Sequence, residues 1–215
     1  MNALLERLGI RLPIIQAPMA AISTPEMAAA VSNAGGLGSI GVGNLDAKAA
    51  RELILATRAK TDRPFNVNLF CHQPAVRSAA AEAAWTRRLA PLFAKYDAQA
   101  PAELHEIYKS FVEDREMAEM LVAERPAVVS FHFGLPDEAT LRALQGQGIV
   151  LLASATNVAE AKAIHEAGID AIVAQGYEAG GHRGNFDPLA TDERLSMATL
   201  TRLIALSVPT PVIAA

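Results

Sequence analysis

The chain has 215 residues, which is enough for one large domain and short for two. Hydrophobic residues make up 51% and charged residues 20%, as in a globular protein with a sizeable core. The net charge of −4 comes without a run of like charges, so we expect no nucleic-acid partner, because phosphate binding requires concentrated Lys and Arg. The lone Cys71 cannot form an internal disulfide. With no signal peptide and no membrane span expected, the sequence predicts a cytoplasmic protein.

The first part of the chain alternates short apolar runs with helical patterns. Residues 13–18, which contain prolines at both ends, predict a first strand. Thr24 followed by Pro25 predicts a helix start, because a hydroxyl can cap the first turn and proline is tolerated there. The helix should end at the glycine pair 35–36, and a second strand should run through 37–43.

Three glycines in this region have the spacing G-x-G-x-x-G of a dinucleotide-binding loop, namely Gly36, Gly38 and Gly41. That motif requires a strand before it and a helix after it, whereas the order predicted here is the reverse. We therefore interpret the glycines as small residues that let a strand pack closely against helices.

The middle of the chain departs from regular alternation. A helix predicted over 46–59 and a strand over 65–70 are followed by a long segment, 74–125, that is rich in alanine and charge. Its pattern predicts two helices, around 76–96 and 102–124, before the next strand. We interpret the segment as a helical insertion after the third strand, placed to cover a site.

Alternation then resumes to the end of the chain, with Asn157 and Glu160 predicting a capping box at one helix start. The predicted strands are 127–133, 149–153, 171–174 and 211–215, separated by helices over 136–144, 157–167 and 197–206. Strict alternation indicates a parallel sheet, because parallel strands need crossover connections.

Polar side chains recur where the predicted strands end, and these are Gln16, Asn68, His132, Ser154 and Gln175. In an open sheet such residues would gather at one switch point, whereas in a barrel they surround one mouth. We therefore predict a TIM (β/α)8 barrel rather than a doubly wound sheet, as one domain over residues 1–215. An eighth strand is expected to be missing from the 215 residues.

The segment 171–184 combines a buried-strand pattern with a glycine-rich end that carries Gln175, His182 and Arg183. Neutral imidazole is a base near neutral pH, so His182 is either a general base or a loop histidine that bonds backbone. His132 is either catalytic or a satisfied core histidine. The amides of Asn68 and Gln175 suit either a flat ligand or a loop that they hold in place.

Three further features could belong to a site, namely Arg183, Tyr108 and the spacing of histidines and Cys71. Arg183 could meet a phosphate or an anionic substrate, but we expect it to be solvated, and Tyr108 is expected half-buried in the inserted helices. The spacing of the histidines and of Cys71 matches no zinc site, so no metal is expected. From the residues alone, we predict a barrel enzyme that binds a flat, phosphorylated ligand.

Five segments resemble the nitronate monooxygenase family, formerly called 2-nitropropane dioxygenases. They are PIIQAPM at 13–19, NAGGLG at 33–38, FNVN at 65–68, VSFHFG at 129–134 and EAGGHRG at 178–184. The resemblance covers essentially the whole chain. The EAGGH element is shared with the flavin-dependent enoyl-acyl-carrier-protein reductases, whereas SFHFG and the insertion favour the nitronate oxidisers.

The resemblance implies a TIM barrel that holds FMN at its C-terminal mouth, with His182 as the catalytic histidine and His132, which lines the substrate pocket, as a second catalytic candidate. It also implies a substrate pocket lined by Tyr108 and Met19. The positions implied around FMN are Ala17, Met19, Asn68, Gln175, Gly180 and Gly181. The implied reaction is the oxidation of alkyl nitronates, such as propionate 3-nitronate, by O2 to a carbonyl product and nitrite. A homodimer is one candidate assembly.

Two other functions remain open. One is an FMN-dependent NAD(P)H reductase of an enoyl thioester or a quinone. The other is a truncated barrel that binds or associates without catalysis, because the family's FMN-phosphate loops lie beyond the part that this sequence matches.

Overall fold

Six parallel strands pair in chain order to form one sheet in the computed structural model, which describes residues 3–215. The strands are β1 (Gly38–Gly41), β2 (Phe65–Phe70), β3 (Val128–His132), β4 (Val150–Ala155), β5 (Ala171–Ala174) and β6 (Val212–Ala214). The helices are α1 (Ala3–Leu8), α2 (Pro25–Ala34), α3 (Ala47–Arg58), α4 (Ala79–Lys95), α5 (Arg115–Glu124), α6 (Glu138–Gln145), α7 (Val158–Glu166) and α8 (Met197–Ser207), with a 3-10 turn at Phe111–Glu113.

The strand order β1-β2-β3-β4-β5-β6 with helical crossovers is that of a TIM barrel, which confirms the predicted fold class. The first predicted strand, 13–18, is wrong as a full strand and makes only a single parallel bridge, Ile15 with Leu37. Leu37 donates to the carbonyl of Ile14, and the Gln16 amide donates to that of Leu37. Pro13 and Pro18 have no N–H to extend this ladder, which limits the pairing to one bridge.

Side chains alternate between two apolar clusters on opposite faces of the sheet. Leu151 and Ala153 of β4 belong to the cluster shared with the outer helices, for example with Ile164 of α7. Val150 and Leu152 belong to the smaller cluster on the inner face. This alternation is the two-residue period of a strand, and it places the inner cluster in the barrel interior.

Helix α1, which the sequence patterns did not predict, closes the interior at the N-terminal ends of the strands. Its Leu8 is 2% exposed and joins the inner cluster. Arg7 forms an ion pair with Asp170, whose other carboxylate oxygen accepts a hydrogen bond from the Leu151 amide at 2.8 Å. The helix is therefore tied to the sheet by both packing and charge.

The interpretation of the G-x-G-x-x-G spacing as close packing is confirmed at Gly38. A Cβ on this residue would lie 2.0 Å from the carbonyl oxygen of Ala28, so α2 can approach β1 only if this residue is glycine. The chain order is helix, then strand, as expected, and it does not form a dinucleotide-binding loop.

The inserted segment is only partly helical. Its first helix, α4, is present and contains no buried residue, but a helix over 102–124 is wrong. Residues 96–110 form a loop, and α5 starts at Arg115. The physical reason lies in local side-chain bonds: Ser110 Oγ donates to the carbonyl of His72 at 2.5 Å, and Asp114 caps α5 by accepting from the Met117 amide.

None of the helices within residues 3–215 combines the length and the apolar character that crossing a bilayer requires.

An ion-pair cluster joins α3 to the end of α5. Glu124 accepts hydrogen bonds from Arg51 Nε at 2.6 Å and Arg58 Nη1 at 2.7 Å, and its side chain is 10% exposed. Arg51 first, and then Arg58, holds the pKa of the Glu124 carboxyl below its usual value.

We predict that Glu124→Gln lowers the free energy of unfolding at pH 7 by about 1–3 kcal/mol, because charge-assisted hydrogen bonds are lost from a largely buried carboxylate. The pKa of glutamate in the unfolded chain is about 4.3, and the pKa of Glu124 in the folded protein is lower. The stabilisation is therefore complete above about pH 4.3 and disappears as the pH falls through the folded pKa. Urea denaturation from pH 7 to 3 should show the two proteins converging. Glu119→Gln, at an exposed position of α5, should behave like wild type, and an equal effect of both variants would contradict the prediction.

Candidate active site

The inner face of the barrel changes from apolar to polar along the strands. Val128, Val150 and Leu152 line its lower part. At the carboxyl ends, the register pairs Asn68 with Ser130 and Phe70 with His132. Because parallel strands end at the same edge, polar residues from successive strands converge at one mouth.

Asn68 is held by its neighbour strand. Its amide nitrogen donates to Ser130 Oγ at 2.8 Å and to the Ser130 carbonyl at 3.3 Å. Its Oδ1 makes no hydrogen bond with any of the residues from 3 to 215. One half of this amide therefore serves the sheet, and the other half is available to a ligand.

His132 is engaged at both ring nitrogens. Nε2 lies 3.1 Å from the His182 carbonyl, and Nδ1 lies 2.9 Å from Ser154 Oγ. A carbonyl can only accept, so Nε2 carries the proton. Burial is the main cause that lowers the pKa of His132. The neutral ring then accepts the Ser154 hydroxyl proton at Nδ1. Gly184 packs on this ring so closely that a Cβ would lie 2.6 Å from the His132 Cε1 atom.

Gln175 holds the glycine-rich loop that follows β5. Its Nε2 donates to the His182 carbonyl at 2.8 Å, and its Oε1 accepts from the Gly184 amide at 2.7 Å. Of the two roles left open for this amide, the structure thus displays the loop-holding one. The amide nitrogen of Gln175 can donate one further hydrogen bond, and its amide oxygen can accept one more. A role in cofactor binding therefore stays a prediction.

The expectation of a solvated Arg183 is wrong. Its Nε and Nη2 bind both carboxylate oxygens of Asp192 at 2.9 Å, and Nη1 donates to the Gln175 carbonyl at 2.6 Å. Arg183 also holds the pKa of the Asp192 carboxyl below its usual value. The guanidinium is therefore a structural clamp, and the bidentate geometry explains why it does not extend into solvent.

The His182 imidazole is exposed and stands edge-on to three aromatic rings. Its centroid is 5.7 Å from Phe70, 5.7 Å from Phe133 and 6.2 Å from Tyr108. No hydrogen bond to either ring nitrogen comes from the described part of the chain. The backbone of His182 is thus fixed by Gln175 and His132, whereas its imidazole is free to meet a ligand.

Tyr108 contacts this site from a loop and not from an inserted helix, which corrects the expected setting. The loop 96–110 brings its ring within 5.5 Å of Phe70. Its side chain is half-buried, as expected, although in a different secondary structure.

Two aromatic residues of the site, Phe70 and Phe133, were not predicted from the sequence. Phe133 follows β3 with a left-handed backbone, at φ 70°, and its ring lies 4.4 Å from that of His132. Strained backbone of this kind concentrates at functional sites. The alternation of side chains along β2 could have revealed Phe70, because it shares the inner face with Asn68.

The remaining predicted site residues lie on two loops. Ser23 Oγ binds the Met19 amide at 3.0 Å and the Ala17 carbonyl at 3.4 Å, which shapes the loop after the first bridge. This loop packs beside Gly41 at the end of β1, at the same edge of the sheet. Gly180 and Gly181 face open space, with no atom within 4 Å of a Cβ built on either. The structure therefore brings His182, His132, Gln175 and Tyr108 together, with Ala17 and Met19 on a separate loop.

Metal ligands do not gather in the part of the chain that the structure describes, since no three His, Cys, Asp or Glu side chains there are placed to hold an ion. Cys71 is buried, and burial raises the pKa of its thiol, which keeps the sulfur protonated and unreactive.

Sequence comparison identifies close relatives. The profile of the family described as nitronate monooxygenase matches residues 2–215. A nitronate monooxygenase of Paraburkholderia phytofirmans is 59% identical over 214 residues, and one of Pseudomonas aeruginosa is 53% identical over 208 residues. These matches cover 100% and 97% of this chain but 58% and 59% of the relatives. The chain thus spans somewhat more than half the length of these proteins.

Solved structures agree with the fold. A nitroalkane oxidase from Streptomyces ansochromogenes superimposes with a TM-score of 0.88 at 35% identity, covering 98% of this chain and 59% of that one. FabK from Thermotoga maritima superimposes with a TM-score of 0.69 at 28% identity, covering 97% of this chain and 52% of that one.

We predict that His132 titrates below about pH 6.5, the value for an unperturbed histidine, with its neutral form protonated at Nε2. As pH falls through about 6.5, the unfolded chain takes up a proton that the folded ring binds less tightly, so this residue should lower the stability of the fold. Nitrogen-detected NMR of the imidazole checks the tautomer and the midpoint. His132→Gln should lose this component of the pH dependence, and a midpoint at or above 6.5 in wild type would contradict the assignment.

Proposed function

Since the chain belongs to the nitronate monooxygenase family, we propose that it oxidises alkyl nitronates, such as propionate 3-nitronate, with O2 to a carbonyl product and nitrite. The observation that carries the proposal is the His182 imidazole, which is fixed through its backbone and unbonded at its ring nitrogens within the described chain. An imidazole in this state can exchange a proton with a ligand at the mouth of the barrel.

His182 acts in two ways, according to the state of the substrate. With a neutral nitroalkane, one ring nitrogen removes the proton from the carbon next to the nitro group. With a nitronate that is already ionised, a protonated ring nitrogen donates a hydrogen bond to the anion and orients it. The rings of Phe70, Tyr108 and Phe133 supply apolar walls for a short alkyl chain.

The cofactor class that the family implies is a flavin, and we propose FMN. The open space at Gly180 and Gly181 fits a flat ring system, since a backbone without Cβ can be approached closely. Asn68, with its unpaired Oδ1, and Gln175, with spare capacity, would hold the polar edge, and Ala17 and Met19 would border it. A bound flavin supplies the redox chemistry, since it takes electrons from the nitronate and passes them to O2.

The other parts of the proposal concern the whole protein. Residues 1–215 would form a single FMN-binding domain in which the insertion 74–125 contributes Tyr108 to the pocket. His132 would line that pocket and support His182 rather than exchange protons itself, because both of its nitrogens are bonded. We propose a cytoplasmic location, which the single, unpaired cysteine supports. The homodimer stays a prediction.

A second candidate is an NAD(P)H-dependent flavin reductase, because the EAGGH element at 178–182 also resembles the flavin-dependent enoyl-acyl-carrier-protein reductases. Anaerobic stopped-flow mixing separates the two. Bleaching of the bound flavin by propionate 3-nitronate supports the monooxygenase, and bleaching by NADH or NADPH supports the reductase. Protein purified without flavin absorbance and without nitronate-dependent oxygen uptake would support the non-catalytic barrel.

We predict that His182→Asn reduces nitronate turnover by about a hundredfold, because a positioned acid–base group contributes on that order. Flavin content should be retained, since the imidazole makes no hydrogen bond that holds the loop. Oxygen consumption with propionate 3-nitronate, normalised to flavin absorbance, checks the prediction. His105→Asn, at an exposed position of the loop 96–110, is the matched control. A His182 variant that turns over as fast as the control would remove this residue from the mechanism.

A further inference from the structure

The glycine-rich part of the loop that carries His182 has no packing of its own. Its glycines at 180 and 181 face open space, and Gly181 has a left-handed backbone at φ 80°. Phe186 packs against the main core further along, so between these points the backbone position of His182 depends on polar bonds to the segments on either side. On the side of β5 and β3, these bonds come from Gln175 and His132.

On the other side of the loop, a buried carboxylate makes the connection. Glu160, in the first turn of α7, is 8% exposed. Its Oε1 accepts from the Phe186 amide at 2.9 Å. Its Oε2 accepts from the amide and the hydroxyl of Thr156 at 2.6 and 2.8 Å. One side chain therefore joins the end of β4 to the segment that follows His182.

This arrangement differs from the predicted capping box. Asn157 does cap α7, accepting from the Glu160 amide at 2.9 Å, but Glu160 does not return a bond to the Asn157 amide. It bonds the preceding residue, Thr156, and reaches across to Phe186. The Oε2 atom thus bonds the end of β4 beside the start of α7, and the Oε1 atom bonds the loop at Phe186.

The carboxylate of Glu160 is stabilised by hydrogen bonds from neutral donors. Within residues 3–215, no Lys, Arg or His forms an ion pair with it, and three donors converge on its two oxygens. A carboxylate is the side chain that accepts at both ends, whereas the amide of glutamine must present a donor at one end. The site therefore selects a glutamate specifically, at a desolvation cost that a helix cap alone does not require.

We propose that Glu160 is a positioning residue for His182. It fixes Phe186, Gln175 fixes Gly184, and Gln175 together with His132 fixes the carbonyl of His182, so the backbone from 182 to 186 is held at three alternate residues. The effect of Glu160 on turnover rests on the function proposed above, but its effect on the loop does not.

We predict that Glu160→Gln raises amide hydrogen exchange at Phe186 and across 182–187 by about tenfold or more, because an N–H of the new amide opposes the N–H of Phe186. Exchange in β1 and β2 should stay within about twofold of wild type. In the flavin-loaded protein, kcat on propionate 3-nitronate per bound flavin should fall about tenfold with KM nearly unchanged, as expected when a reacting group is displaced. Glu166→Gln, at an exposed position of the same helix, is the control for both measurements.

The outcomes separate the two proposals. Unchanged exchange over 182–187, or an equal loss of protection throughout the barrel, overturns the positioning role. Increased local exchange with an unchanged kcat overturns its link to His182. A wild-type protein without nitronate-dependent oxygen uptake overturns the proposed function, while the exchange result still decides the contact. If Glu160→Gln does not fold, Glu160→Asp serves in the same measurements, since its shorter side chain keeps the charge but cannot bridge Thr156 and Phe186.

Discussion

The carbonyl oxygen of His182 accepts hydrogen bonds from two side chains on different parts of the barrel, Gln175 after β5 and His132 at the end of β3. This shared acceptor attaches the glycine-rich loop to the sheet. It also separates two tasks within one residue, because the backbone of His182 carries the structural bonds and its imidazole carries none of them. A parallel barrel makes this possible, since its strands all deliver their last residues to the same edge.

The polar mouth depends on the apolar layer beneath it. Inner-face residues such as Val128 and Leu152 fill the lower barrel, and α1 closes it with Leu8. Polar residues lie above this layer, and they bond one another, as Asn66 and Asn68 do through Ser130 Oγ. Hydrogen-bonded polar groups are tolerated in buried positions and give the mouth a defined shape. Asn66 Oδ1 is an exception, because it is buried without a hydrogen-bond partner among residues 3–215.

Most of the alternating strands and helices, the parallel sheet and the convergence of Gln175, His132 and His182 could be predicted from the sequence. They depend on short-range signals, namely alternation of apolar runs and polar residues at strand ends. The contacts that the sequence does not reveal are those that irregular loops make. Asp192 pairs with Arg183, and Phe186 with Glu160, across loops whose path no local pattern encodes. The predicted helix over 102–124 is wrong because side-chain bonds to the backbone outweigh the helical composition. Ser110 donates to the His72 carbonyl, and Asp114 accepts from the Met117 amide.

Helix α4 has no buried side chain, although it belongs to the same chain as a tightly packed barrel. Little apolar surface is therefore exposed when it detaches, and the free energy of its local opening is independent of the sheet. A protease added under native conditions would find its first cleavage sites in this segment and leave the strands paired. Helix α4 is thus joined covalently to the barrel but contributes little to its stability, so this helix can vary in length and sequence at little cost, whereas Phe111, Met117 and Leu121, later in the insertion, belong to the main core.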